Sequence, residues 1–319
     1  MTSPRSLLAL ALLASLSLPA CAATPKERVI PIGQVQGDGA RSPLDGQTVT
    51  VDGVVTGAFL EGLGGFFVQD SGDGNPKTSD ALFVAVEEGT PAPAITAGDR
   101  VRVRGIVGER KAGGDDTLTA LHAPVIQVRG RGHVTPTVLT SLPADWEALE
   151  GMHVRIDAPL TLSGTHTLER FGELITSFGG RLWQSSELAA PGSAEAKRVI
   201  ADNARRTLLL DDGSTQRDPA SVWYVKEGQP LRTGTVLTGV QGIVDQRPGG
   251  WRLQLTAAPT IAALQRPAAP QVAGNVRVAA FNLENLFNGD GKGGGFPTER
   301  GAKTPEQLKS QMAKLVATI

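Results

Sequence analysis

The chain has 319 residues and a single cysteine, Cys21, so it can form no intrachain disulfide, and a zinc site built from several thiolates is excluded. Aromatic residues make up only 4% of it, which leaves few rings for a stacking surface. There is no basic excess either: 31 Lys and Arg stand against 32 Asp and Glu, a formal net charge of -1. A non-specific nucleic-acid binder usually shows such an excess, so net charge lends DNA binding no support and leaves room only for a local basic groove. The four histidines, His122, His133, His153 and His166, show no metal-ligand spacing and read as structural or exposed. Beyond the N-terminal segment no run is apolar enough to cross a membrane.

What is present is glycine and proline, 39 and 21 of them, beside 40% hydrophobic and 20% charged residues. That composition suits a soluble globular protein of many short strands joined by turns. The length allows two or three domains. The N-terminus, residues 1–23, reads as an export signal, with Arg5 as its positive end and Leu7 to Leu18 as an apolar stretch too short to span a bilayer. Leu18-Pro19-Ala20-Cys21 resembles a bacterial lipobox, in which Cys21 would be lipidated and become the mature N-terminus. Pro19 departs from the usual small residue, and ordinary cleavage after Ala22 or Ala23 is the competing reading. Either way the protein is expected to be exported, extracellular or an outer-membrane lipoprotein, touching a membrane only through such an anchor.

Residues 25–135 read as strand after strand. Thr48 to Val55 alternates with period two, and Gly65–Gln69 and Ala81–Val86 follow. Arg100 to Val107 is the cleanest, with Val101 and Val103 facing inward and Arg100, Arg102 and Arg104 outward. Leu118–Leu121 and Pro124–Val128 would close a small Greek-key barrel of the OB type. Residues 136–262 echo the plan: Gly151 to Ile156 resembles Gly46 to Val51, Gly234 to Val244 resembles Gly98 to Val107, and Trp251 to Leu255 matches the closing strand. The expectation is therefore two tandem OB-like β-barrels, the second with an insertion, Ser185 to Ala220, that carries a helix over Ala194–Ala204. A linker, 263–275, precedes a different pattern in 276–319: a strand over Val276–Phe281, a Gly-rich loop, and an amphipathic helix started by Thr304, Pro305 and Gln307. A strand followed by a helix is half of an α/β unit.

Several stretches carry a family resemblance. Ala279-Ala280-Phe281-Asn282 resembles the first strand of the endonuclease/exonuclease/phosphatase superfamily. Leu283 to Thr298 and Arg300-Gly301-Ala302 look like the start of the catalytic domain in large bacterial extracellular nucleases. Ile32 to Gly39, Ser42 to Gly46 and Gly64 to Asp70 look like their N-terminal module. The resemblance implies a mainly β protein followed by a truncated α/β-sandwich nuclease domain, and an activity as an exported, metal-dependent phosphodiesterase, an extracellular DNase with DNA as substrate. It implies a divalent metal, Mg²⁺ first and Ca²⁺ or Mn²⁺ next, held by an Asn and a Glu, with a His/Asp pair for proton transfer. Only the Asn is matched, at Asn282; the other three are expected beyond Ile319, and these 319 residues are expected to show no turnover alone. No protein partner is implied. The contrary reading is a non-enzymatic module whose barrels bind nucleic acid or another exopolymer.

The remaining motifs each have two readings. Asn282 is a metal ligand or a strand-end cap. Gly289-Asp290-Gly291-Lys292-Gly293 lacks the ending of a phosphate-binding loop and reads as a surface loop, where Lys292, with Arg300, would contact phosphate in an intact enzyme. Asp70 to Asn75 with Asp80 is a cation loop or a plain hairpin turn, and the spacing favours the turn. Arg100, Arg102 and Arg104 are a nucleic-acid face, with Phe66, Phe67 and Phe83 as stacking rings, or a solvated face.

Overall fold

The computed structural model describes residues 28–113, 116–264, 268, 271–283 and 285–318; the export segment and Cys21 lie outside them. The chain divides into two compact units, one reaching to Leu264 and one from Gln265 to Ile319. The fold is mainly β.

The first unit opens with a five-stranded closed barrel. Its strands are β1 (Thr48–Phe59), β2 (Gly65–Gln69), β3 (Ala81–Ala85), β4 (Asp99–Gly113) and β5 (Asp116–Arg131), in the order β1-β2-β3-β5-β4. Closure comes from β1 against β4, paired from Thr48↔Ile106 to Val54↔Arg100. The period-two pattern explains the core: Val49, Val51, Phe66, Val68, Leu82, Val84, Val101 and Val103 all point into it. A short helix, α1 (Ile32–Gln36), adds Ile32 and Val35 to that core, and Asp70 Oδ2 accepts from Ile32 N at 2.8 Å. The two expected closing strands are a single one, β5, bent at Ala123, whose φ is 46°. Pro124 follows directly and offers no N–H to the ladder, so the ladder with β4 shifts register there.

The rest of the first unit is a nine-stranded sheet curled into a half-barrel. Its strands are β6 (Thr137–Leu139), β7 (His153–Ile156), β8 (Leu160–Gly164), β9 (Leu174–Phe178), β10 (Thr207–Asp211), β11 (Val236–Thr238), β12 (Val240–Arg247), β13 (Gly250–Leu255) and β14 (Thr260–Ile261). They run in the order β14-β11-β8-β9-β10-β13-β12-β7-β6. The repeat pattern predicts a second closed barrel with one strand over Gly234–Val244. Gly239, at φ 66°, breaks that run into β11 and β12. β11 then pairs with β8 and β14, whereas β12 pairs with β13 and β7, and one long sheet results. Its concave core gathers Val154, Ile156, Leu160, Leu162, Leu208, Leu210, Leu253 and Leu255 around Trp146 and Tyr224. The short helix α2 (Leu168–Phe171) joins β8 to β9, and α3 (Ser185–Leu188) and the longer α4 (Ala194–Arg206) lie in the insertion. Ser193 caps α4 by accepting from Ala196 N at 3.1 Å.

Barrel and sheet meet in a packed seam. Along β2, Phe66 points into the barrel and Phe67 away from it; on β3, Phe83 does as Phe67 does. Phe67 and Phe83 stack edge to face at 4.9 Å and are covered by Ile243 of β12. Gly57 makes room for this, because a Cβ there would come 2.5 Å from Ile243 Cδ1. All three rings are fully buried, so the expected stacking surface for bases is absent; the sheet has taken the place a ligand would need.

In the second unit, α5 (Pro305–Thr318) is the only regular element among the described residues. Thr304 Oγ1 accepts from Gln307 N at 3.2 Å, and Gln307 Oε1 reaches back to Lys303 N at 2.7 Å. The strand expected over Val276–Phe281 is not formed, and Val276 and Val278 are 75% and 92% exposed. A strand exists through its ladder, and no strand among the described residues of this unit offers one. No described helix is long and apolar enough to cross a bilayer.

Candidate functional site

A cleft of about 540 Å³ opens on the barrel beside the start of the sheet. This lies within the common range for ligand pockets, ~300–1,000 Å³. Strand order lays out its charges from one wall to the other. Asp80, just before β3, and Asp70, after β2, form the acidic end; Asp52 of β1 lies between; Arg100 of β4 and Arg129 of β5 form the basic end. His133 and Thr135, in the connection to β6, and Met152 also line it.

Each charge has a local cause. Arg102 donates to Asp52 twice, at 2.6 and 2.6 Å, and that hydrogen-bonded guanidinium holds the Asp52 carboxyl below its usual range. Burial, then the nearby Asp70 and Asp73, pushes Asp80 up. The Asp70 loop uses its carboxylates on its own backbone: Asp70 accepts from Gly72 N, Asp73 from Asn75 N and Asp80 from Asp73 N. These are turn contacts, in line with the hairpin reading of that loop. Burial, then the His133 charge, lowers His153.

Of the three arginines singled out on β4, Arg100 lines the cleft, Arg102 is bound to Asp52, and Arg104 is exposed outside the lining. The alternating pattern does not single out Arg129, which shares the cleft with Arg100. Only the pairing of β5 alongside β4 brings the two together.

Asn282, Lys292 and Arg300 are all exposed in the second unit. In the Gly-rich loop, Asp290 Oδ1 accepts from Lys292 N at 2.7 Å and Gly294 N at 2.9 Å, so a side-chain carboxylate already occupies backbone donors that a phosphate would need. Among the described residues no group of three or more His, Cys, Asp or Glu could hold a metal ion. Asn282 supplies one neutral oxygen, which does not by itself make up the divalent-metal site that the resemblance implies.

The sheet face turned from its own core carries a buried ionic row that the sequence does not reveal. Arg252, 4% exposed, donates to Glu173 Oε1 at 2.6 Å, Asp211 Oδ2 at 2.7 Å and the Pro248 carbonyl at 2.7 Å. Gln254 donates to Asp245 Oδ2 at 2.8 Å, and Arg247 to the same oxygen at 2.5 Å. Burial pushes Asp211 up against the pull of Arg252. The pairs tie β10, β12 and β13 to one another, a structural role. Arg247 also lies over the Phe83 ring at 5.6 Å, with Arg110 of β4 at 5.0 Å from the same ring.

Residues 144–265 match a domain family of unknown function, DUF8508. The matched segment holds most of the curled sheet and none of the barrel. No curated protein matches the chain.

Proposed function

We propose that this chain is part of an exported, metal-dependent phosphodiesterase, an extracellular DNase, whose first unit grips the nucleic acid. The observation that carries the binding half of this reading is the cleft in which Arg100, Arg129 and His133 share one wall. Guanidinium groups suit phosphate through paired N–H donors, and phosphate contacts supply most of the affinity for a nucleic-acid backbone. The strand order β1-β2-β3-β5-β4 supports an OB-like barrel as the scaffold. Such barrels usually bind on strands 2 and 3. Here that side lies under β12, so the reading moves the ligand to the faces of β1, β4 and β5.

The chemical half rests on the resemblance of residues 276–302. In it Asn282 is one metal ligand, Lys292 and Arg300 meet phosphate, and a bound Mg²⁺ would supply an activated water. The described residues do not complete that site, so no hydrolytic step is derived from them. Export, and lipidation at Cys21, fall on residues outside those described and belong to the same proposal.

The test is a titration of a fluorescent single-stranded oligonucleotide, read by anisotropy, with the Arg100→Glu/Arg129→Glu protein alongside. Binding that the double substitution weakens at least about tenfold supports the reading, since several phosphate contacts are worth that much. No binding by the unaltered protein rejects it. Plasmid cleavage with Mg²⁺, lost in Asn282→Ala, would add the catalytic half. The exposed, unpaired segment at Val276–Phe281 favours a second reading, a binding module without turnover for nucleic acid or another exopolymer. Tight binding of an acidic polysaccharide in the same titration, with no cleavage, would select it.

A further inference from the structure

At one point the seam between barrel and curled sheet is closed by a carboxyl group beside which the described residues place no cation. Glu150 follows a 3-10 turn, Glu147–Leu149, and is 1% exposed. Its Oε1 accepts from Thr119 N of β5 at 3.0 Å and from Gln36 Nε2 of α1 at 3.2 Å. Its carbonyl accepts from Ser79 Oγ at 2.5 Å, and Gln36 Nε2 also donates to the Ala81 carbonyl at 2.5 Å. One residue from the sheet side thus joins α1, β5 and the entry to β3 on the barrel side. Its second oxygen, Oε2, is buried with no hydrogen-bond partner.

Among the described residues the ionisable groups that face it are all acids. Glu147 approaches from its own turn. Glu109 of β4 approaches from the barrel, and its Oε2 is likewise buried and unpartnered. Asp145 and Asp116 stand beyond, facing Glu147. From α1, β5 and the entry to β3 it meets only the neutral Gln36, Thr119 and Ser79. An ionised Glu150 would hold a charge in a water-poor seam among like charges. Burial first, and Glu147 next, push its carboxyl well above the usual range. Burial and then Asp145 push Glu147 to about 7.

We infer that Glu150 is a proton-held clasp: barrel and sheet stay locked while its carboxyl keeps the proton, and the seam loosens as that proton leaves at rising pH. The folded chain binds this proton more tightly than the unfolded chain, where the ordinary value is 4.5. The stabilisation is therefore complete below that value and is lost as pH climbs through the folded one. The clasp also touches the cleft, because Met152, two residues on, and Asp80, between Ser79 and Ala81, both line it. The inference concerns the seam and holds whether or not the cleft takes a nucleic acid.

Hydrogen exchange read by mass spectrometry on the full chain, from pH 6 to pH 9 and corrected for intrinsic exchange, tests it. Peptides covering Thr117–Leu121 and Glu150–Val154 are compared with Arg100–Val103 inside the barrel. Seam protection relative to that reference should fall at least about tenfold across the range, as a shift of one pKa unit allows. Glu150→Gln, neutral at every pH and nearly the same shape, should remove most of that fall, leaving only the part that belongs to Glu147. Constant protection in the unaltered protein overturns the clasp, and so does an equal fall in Glu150→Gln. A Glu150→Gln protein that cannot fold also counts against it, because a neutral isostere should replace a protonated acid.

Discussion

Arg102 and Asp52 are cross-strand partners on β4 and β1, locked by two hydrogen bonds of 2.6 Å. The pairing commits to the barrel a guanidinium that its pattern alone would assign to a ligand. Both side chains keep some exposure, 22% and 43%, so water and salt screen the pair. Arg102→Ala should lower stability by only ~0.5–1 kcal/mol and leave oligonucleotide affinity within about twofold. Urea denaturation and anisotropy measure the two separately.

Arg100→Ala and Arg129→Ala should behave the other way round. Each removes one phosphate contact from the cleft without breaking a buried pair. Affinity should weaken for every base sequence alike, and the slope of log affinity against log salt should shrink by about one for each substitution. A slope unchanged in both proteins would place the nucleic acid elsewhere.

Ile243→Ala should be the costliest single truncation in the seam, about 2–5 kcal/mol, because it empties the site against Phe67 and Phe83. Gly57→Ala alone should also destabilise, since its new methyl would lie 2.5 Å from Ile243 Cδ1. Combined, the two should cost less than their sum, as the methyl partly fills the space the isoleucine leaves. Strict additivity in thermal melts would mean that the two positions do not share that space.

Tyr224 is the sole tyrosine, so phenolate absorbance reports on it alone. Its hydroxyl donates to the Gly172 carbonyl at 2.5 Å and lies 3.1 Å from that of Leu210. Burial, then the nearby Asp211 and Asp212, push it above its ordinary 10.0. The folded chain keeps a proton that the unfolded chain releases, so stability falls as pH rises past about 10. Phenolate should therefore emerge together with loss of tryptophan fluorescence structure, in one step. Tyr224→Phe removes the donor that the buried Gly172 carbonyl accepts from and should cost ~1–3 kcal/mol.

Local pattern made much of the barrel legible. β2 has the bounds read for it, Gly65–Gln69, and Val101 and Val103 are buried between exposed Arg100 and Arg104 as their alternation implies. What escaped depends on chain far away. Nothing near Phe67 or Phe83 announces that Ile243 will cover them, so their rings looked available. Nothing in the sequence around Arg252 and Glu150 marks them as buried; the parallel pairing of β10 with β13 and the contacts from Gln36 and Thr119 enclose them. Residues Val276–Phe281 have the apolar content of a strand, but β structure needs a neighbour as well as a suitable sequence. Arg129 joined the cleft through the register of β5 on β4, which no count along the chain supplies.

The covering of β2 and β3 by β12 also has a history in time. Every barrel strand is complete once Arg131 has been made, whereas β12 and β13 come later, and β10 meets β13 only across the long stretch between Asp211 and Gly250. Pairings between distant segments form slowly because the loop between them must first close. A chain released from its N-terminus onward therefore passes through an interval in which the barrel stands alone, with Phe67 and Phe83 bare to water. In that interval it is at its most adhesive, and it stays so until Ile243 arrives.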